Sequence, residues 1–159
     1  MKTFSPENEA AYKKSNKKTT VSLNKFKTVF FDRLLTDKSR RADAQTLVTY
    51  LSDKFRIAPP VVCVVESRQP HQTGYSEWTG RSHLKNKTMG LYNHSNATIY
   101  IYNRTAIKGD EVSIKAFADT LLHEFMHHYD YYVLKLPKSL HTAGFYKRIS
   151  DLKTKLTTK

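Results

Sequence analysis

His123, Glu124 and His127 form an HExxH motif, the group of residues in this chain whose types and spacing best define a chemistry. On an α-helix, residues i and i+4 lie one above the other, so both imidazoles reach one metal ion. Glu124 is rotated by about 100° from His123 and can take a proton from water without ligating the ion. With seven His and six Glu in 159 residues, the motif is expected by chance only about 0.01 times. Leu121, Leu122, Phe125 and Tyr129 gather on one side of the helical wheel, and His123 and His127 lie on the other beside Asp119 and Asp130. This predicts a core face and a separate metal-binding face, with Asp119 and Asp130 accepting the distal N–H of a ligand histidine. His128 lies on the flank of the apolar stripe and reads as a partly buried structural histidine.

A catalytic zinc site takes three protein ligands and keeps one position open. No Glu follows Glu124, so a later helical Glu does not complete the site. Compact patterns with a third His six residues after the second fail at Val133. His141 remains, beyond the helix-breaking Pro137 and four residues before Phe145, with Asp130 and Asp151 as rivals.

The elements that must position these residues are legible from hydrophobic spacing. Residues 1–20 are polar, Lys-rich and aperiodic, and are expected to form a flexible basic arm ahead of one domain over 21–159. Leu23, Phe26, Val29, Phe30 and Leu34 have roughly helical spacing, and Ala44, Leu47, Val48, Leu51 and Phe55 have it clearly. Pro59-Pro60 ends that helix, and Val61–Val65 reads as a buried strand. Residues 67–88 read as loops with a short strand near Tyr75–Trp78, and residues 89–92 and 98–102 as a hairpin. A long helix from Val112 to about Val133 carries the motif, and Phe145, Ile149, Leu152 and Leu156 mark a last amphipathic helix. Helices, strands, then helices predict an α+β domain, with the helices packed on one side of a small mixed sheet.

Composition narrows the setting. No stretch reaches the roughly 20 apolar residues of a membrane span, and the N-terminus lacks the apolar core of a signal peptide. Cys63 is the single cysteine, which excludes an internal disulfide and fits a reducing, cytoplasmic compartment. A net charge of +13 favours polyanions, so non-specific nucleic-acid binding is the alternative to catalysis, with the zinc site then structural or nearly inactive.

The segment HEFMHHYDYYVLKLPKSLHTAGFYKRI resembles the SprT-like zinc metallopeptidases, whose signature is HExxH, a linker and HGxxF. The preceding MGLYNHSNATIYIYN is similar to the sheet edge that family places beside the metal, and the resemblance covers roughly residues 89–152. It implies a zincin-like minimal metallopeptidase domain, with Zn2+ on His123, His127 and His141 and Glu124 as general base. It also implies a monomeric hydrolase of protein or peptide substrates, whose relatives include proteases acting on DNA-bound proteins. Two departures stand out: Thr142 follows the third His in place of Gly, and the Cys-rich zinc ribbon of many relatives is absent.

Overall fold

The computed structural model describes residues 6–21, 29–36 and 39–156. In chain order these form α1 (Pro6–Lys17), α2 (Val29–Thr36), α3 (Arg40–Phe55), β1 (Val61–Arg68), β2 (His71–Ser76), β3 (Arg81–Lys87), β4 (Gly90–Asn93), β5 (Thr98–Arg104), α4 (Ile114–Tyr132) and α5 (Ala143–Leu156). The domain is α+β. Leu23 and Phe26 of the first expected helix lie outside the described residues.

One sheet has the order β1-β5-β4 and is mixed: β1 runs parallel to β5, with Val62 opposite Ile99, and β4 runs antiparallel to β5, with Tyr92 opposite Ile99. Alternation along the strands decides which face is covered. Val62, Val64, Ile99 and Ile101 are buried, whereas Cys63, Val65, Tyr100 and Tyr102 are only half-buried and Val61 is exposed. β1 is thus covered on one face, not wrapped on both as its unbroken apolar run suggests. The core joins that face to Leu47 and Leu51 of α3 and to Phe117, Leu121, Leu122 and Phe125 of α4.

Residues 67–88 differ from expectation. β2 and β3 pair as an antiparallel two-stranded sheet in which no residue is buried. Without an apolar face, the segment carries no periodic signal to read.

The segment expected as a flexible arm contains a helix among its described residues. Pro6–Lys17 is helical, and the C-terminal end of α1 is seated on α5. The helix is polar, so its docking was hidden from hydrophobic patterning: the contact is made by hydrogen bonds and one close approach. The Gly144 N–H donates to Asn16 Oδ1, and Ser15 Oγ and Thr142 Oγ1 lie 2.9 Å apart. A Cβ at Gly144 would come within 2.5 Å of the Ser15 and Asn16 carbonyl oxygens, so glycine is what lets the two backbones meet.

Two caps set up the functional loop. Ser113 caps α4, its Oγ accepting from the Ala116 N–H. At the other end Lys135 adopts a left-handed φ of 57°, and the Leu136 N–H returns to the Asp130 carbonyl at 3.0 Å. That turn reverses the chain and brings residues 136–141 back along α4. Thr142 then caps α5, accepting from the Phe145 N–H at 3.0 Å.

Candidate metal centre

His123 and His127 come from successive turns of α4 and His141 from the returning loop. The structure brings all three to one point: His141 Nε2 lies 3.2 Å from His123 Nε2 and 3.1 Å from His127 Nε2. Three imidazoles aiming the same ring nitrogen at one another cannot all be satisfied by sharing protons, since a neutral ring has one donor and one acceptor. Two nitrogens at about 2.0–2.1 Å from a tetrahedral zinc would stand about 3.3 Å apart. The spacing fits, and the three histidines form a group that could hold a metal ion. No fourth His, Cys, Asp or Glu joins that group among the described residues.

The electrostatics suit neutral ligands. Burial, reinforced by His141, lowers the His123 pKa to about 4, and burial with the neighbouring histidines lowers that of His127 to about 3. Both rings are therefore unprotonated at neutral pH, the form that binds metal. Phe145 forms the floor: its buried ring stacks on His127 at 4.7 Å and lies 5.1 and 5.3 Å from the His123 and His141 rings.

Glu124 opens on the same cleft, a cavity of about 500 Å³ whose lining includes Gly90, Leu91, Tyr92, His94 and Tyr131. It is only 7% exposed, and burial pushes its carboxyl up to about 7 against a backbone hydrogen bond from Tyr92. Gly90 permits this closeness: a Cβ there would lie 2.6 Å from Thr120 Cγ2 and 3.2 Å from Glu124 Cγ. Any larger residue would push β4 away from the helix that carries the motif.

Neither carboxylate expected to accept the distal N–H of a ligand histidine does so directly. Asp119 is at the surface and pairs with Lys153 at 2.9 Å, away from the histidines. Asp130 is wholly buried, paired at 2.8 Å with the equally buried Arg148. Burial raises the Asp130 carboxyl above its usual range, while Arg148 and Ser139 pull it back. Neither rival for the third ligand joins the triad: Asp130 is engaged by Arg148 and Ser139, and Asp151 accepts from the Val21 N–H and Lys155. His128 is structural. Nε2 donates to the Ala58 carbonyl, so Nδ1 accepts from the Tyr92 hydroxyl at 2.7 Å. Burial accordingly lowers the His128 pKa and raises that of Tyr92.

Of the side chains near the motif with a donor for an oxyanion, most are committed elsewhere. Tyr129 and Arg148 are buried, and Tyr132 packs on His128. Tyr131 lines the cleft, and Tyr146 is half-exposed about 6 Å from the His123 and His141 rings. Sequence reasoning missed Ser139, whose hydroxyl meets His127 Nδ1 at 2.7 Å. A lone serine in a loop carries no pattern by which to find it.

Comparison with family models, curated proteins and solved structures finds no match to this chain. No helix among the described residues is long and apolar enough to cross a membrane.

Proposed function

We propose that the chain is a zinc-dependent metallopeptidase of zincin-like, SprT-like type, with His123, His127 and His141 holding zinc and Glu124 as general base. The observation that carries this reading is the convergence of three imidazoles, with His141 Nε2 3.2 and 3.1 Å from the Nε2 atoms of His123 and His127, in a cleft that also receives a buried carboxyl. Bound there, zinc supplies Lewis acidity, making water a stronger acid and a carbonyl a better electrophile. The chain's own residues do the rest. Glu124, with its proton affinity raised to near neutrality, takes the proton of the attacking water and returns it to the leaving nitrogen. β4 is an edge strand lining the cleft, so an extended peptide can add to it as a further strand. Tyr131, which lines the cleft, or Tyr146, whose ring lies beside His123 and His141, supplies a hydroxyl to a developing oxyanion.

His141→Ala tests the metal assignment. The variant is expected to lose more zinc affinity than the about 10–100-fold typical of losing a supporting partner. Metal analysis after dialysis against a weak chelator reads this directly, and undiminished occupancy would remove His141 from the ligand set. Chelation of the wild type should abolish peptide hydrolysis, with recovery on adding zinc.

A second reading, nucleic-acid binding, is favoured by the β2–β3 hairpin. Its tip carries Trp78, the chain's single tryptophan, 99% exposed, and Tyr75 is exposed on β2. Arg81, Lys85 and Lys87 are exposed on β3, with Glu77 the single acidic residue across 71–88. Aromatic faces beside cations suit unstacked bases and their phosphates. Trp78 fluorescence should be quenched by a single-stranded oligonucleotide at low salt. Trp78→Ala should weaken binding by about 1–3 kcal/mol, and Lys85→Ala should flatten the salt dependence. No quenching and no binding at low salt would leave the charge as a solubility feature.

A further inference from the structure

Behind the three histidines runs a buried polar chain that hydrolysis itself does not use. Arg148 Nη1 donates to the Ser15 and Lys18 carbonyls at the end of α1, and Nη2 donates to Asp130 Oδ2 at 2.8 Å and Ser15 Oγ at 3.2 Å. Ser139 Oγ lies 2.8 Å from the same Asp130 oxygen and 2.7 Å from His127 Nδ1. Proton directions follow from the chemistry of the ends. A carboxylate beside a guanidinium only accepts, so the Ser139 hydroxyl donates to Asp130 and its oxygen accepts from His127 Nδ1–H. His127 is therefore the Nδ1–H tautomer, with the Nε2 lone pair directed at the point it shares with His123 and His141.

We infer that Ser139 is a positioning residue for the metal centre, and that α1, by holding Arg148, is a working part of that centre although it is more than 100 residues away in sequence. A second tie supports the role of α1. Ser15 Oγ meets Thr142 beside His141, and Lys14 Nζ donates to the Leu134 carbonyl where the returning loop begins. The helix thus braces both ends of the loop that presents Ser139 and His141. Thr142 stands where the resembled family has Gly, and its hydroxyl joins α1 to the cap of α5.

The inference rests on the three histidines binding metal, and its test separates the two. Zinc affinity is measured by chelator competition on the full chain, together with the urea midpoint of the metal-free protein. Wild type without measurable zinc affinity would sink both readings. Given a tight wild type, Ser139→Ala should lose about 10–100-fold in affinity with little change in the metal-free midpoint, and Ser139→Thr, which keeps the hydroxyl, should recover most of it. Equal affinity in Ser139→Ala and wild type would overturn the role of Ser139 and leave the metal site intact. Gly144→Ala forces α1 away without touching His127, Ser139 or Asp130, and should also weaken zinc binding. Unchanged affinity there, with α1 shown to be displaced by faster amide exchange over residues 6–17, would make α1 packing alone.

Discussion

Glu124→Gln is expected to fold, retain zinc and lose hydrolysis of an unfolded protein substrate by at least about 100-fold, the lower end of what general-base catalysis contributes. Gln matches Glu in size and keeps an oxygen to accept the Tyr92 hydrogen bond, so packing against Gly90 and Thr120 is preserved. What it loses is the ability to take a proton. Because Glu124 lies outside the group of three converging nitrogens, metal content should not change. Zinc analysis and substrate cleavage on one preparation give the answer. Loss of zinc together with activity would make Glu124 a ligand, whereas a zinc-replete variant as active as wild type would defeat the peptidase mechanism. Wild type that holds zinc but cleaves nothing would favour the nucleic-acid reading.

Arg148→Met should cost about 3–5 kcal/mol of stability, the range for leaving one partner of a buried ion pair uncompensated. Asp130 and Arg148 are both fully buried at 2.8 Å, so water cannot replace the missing charge. The deficit should depend on pH. Burial already holds the Asp130 carboxyl above its unfolded value; with Arg148 gone, only the Ser139 hydrogen bond opposes burial, so the folded pKa rises further. A group shifted that way contributes stability below its unfolded pKa and loses it as pH rises, so the variant's deficit should be largest at neutral pH and shrink toward pH 4. Urea midpoints from pH 4 to 7.5 read this. Adding Asp130→Asn should recover part of the loss, because a neutral amide is cheaper to bury than a lone carboxylate. A deficit below about 1 kcal/mol that does not vary with pH would show that the pair is not isolated from solvent.

The sequence by itself determined the parts of the site that depend on local periodicity. The i, i+4 geometry of a helix is enough to put His123 and His127 on one ion and to turn Glu124 aside, and α4 follows from its apolar spacing. The same holds for α3, β1 and the β4–β5 hairpin, where Val62, Val64, Ile99 and Ile101 mark the covered face. His141 was legible as a candidate because Pro137 forces a break and Phe145 anchors the next helix, though Asp130 and Asp151 stood beside it.

Tertiary structure decided what long-range polar contacts decide. Helical spacing puts Asp130 on the histidine side of α4. Whether that side meets water or Arg148 depends on where α5 and α1 pack, and no local pattern encodes that. The turn at Lys135 uses a residue that does not advertise a left-handed conformation, so the return of Ser139 to His127 has no sequence signal. The N-terminal helix docks through a glycine's missing Cβ and through backbone carbonyls, none of which hydropathy can see. Apolar burial has a period in the sequence, whereas a hydrogen bond between residues more than 100 positions apart has none, and here such bonds hold the loop that completes the metal centre.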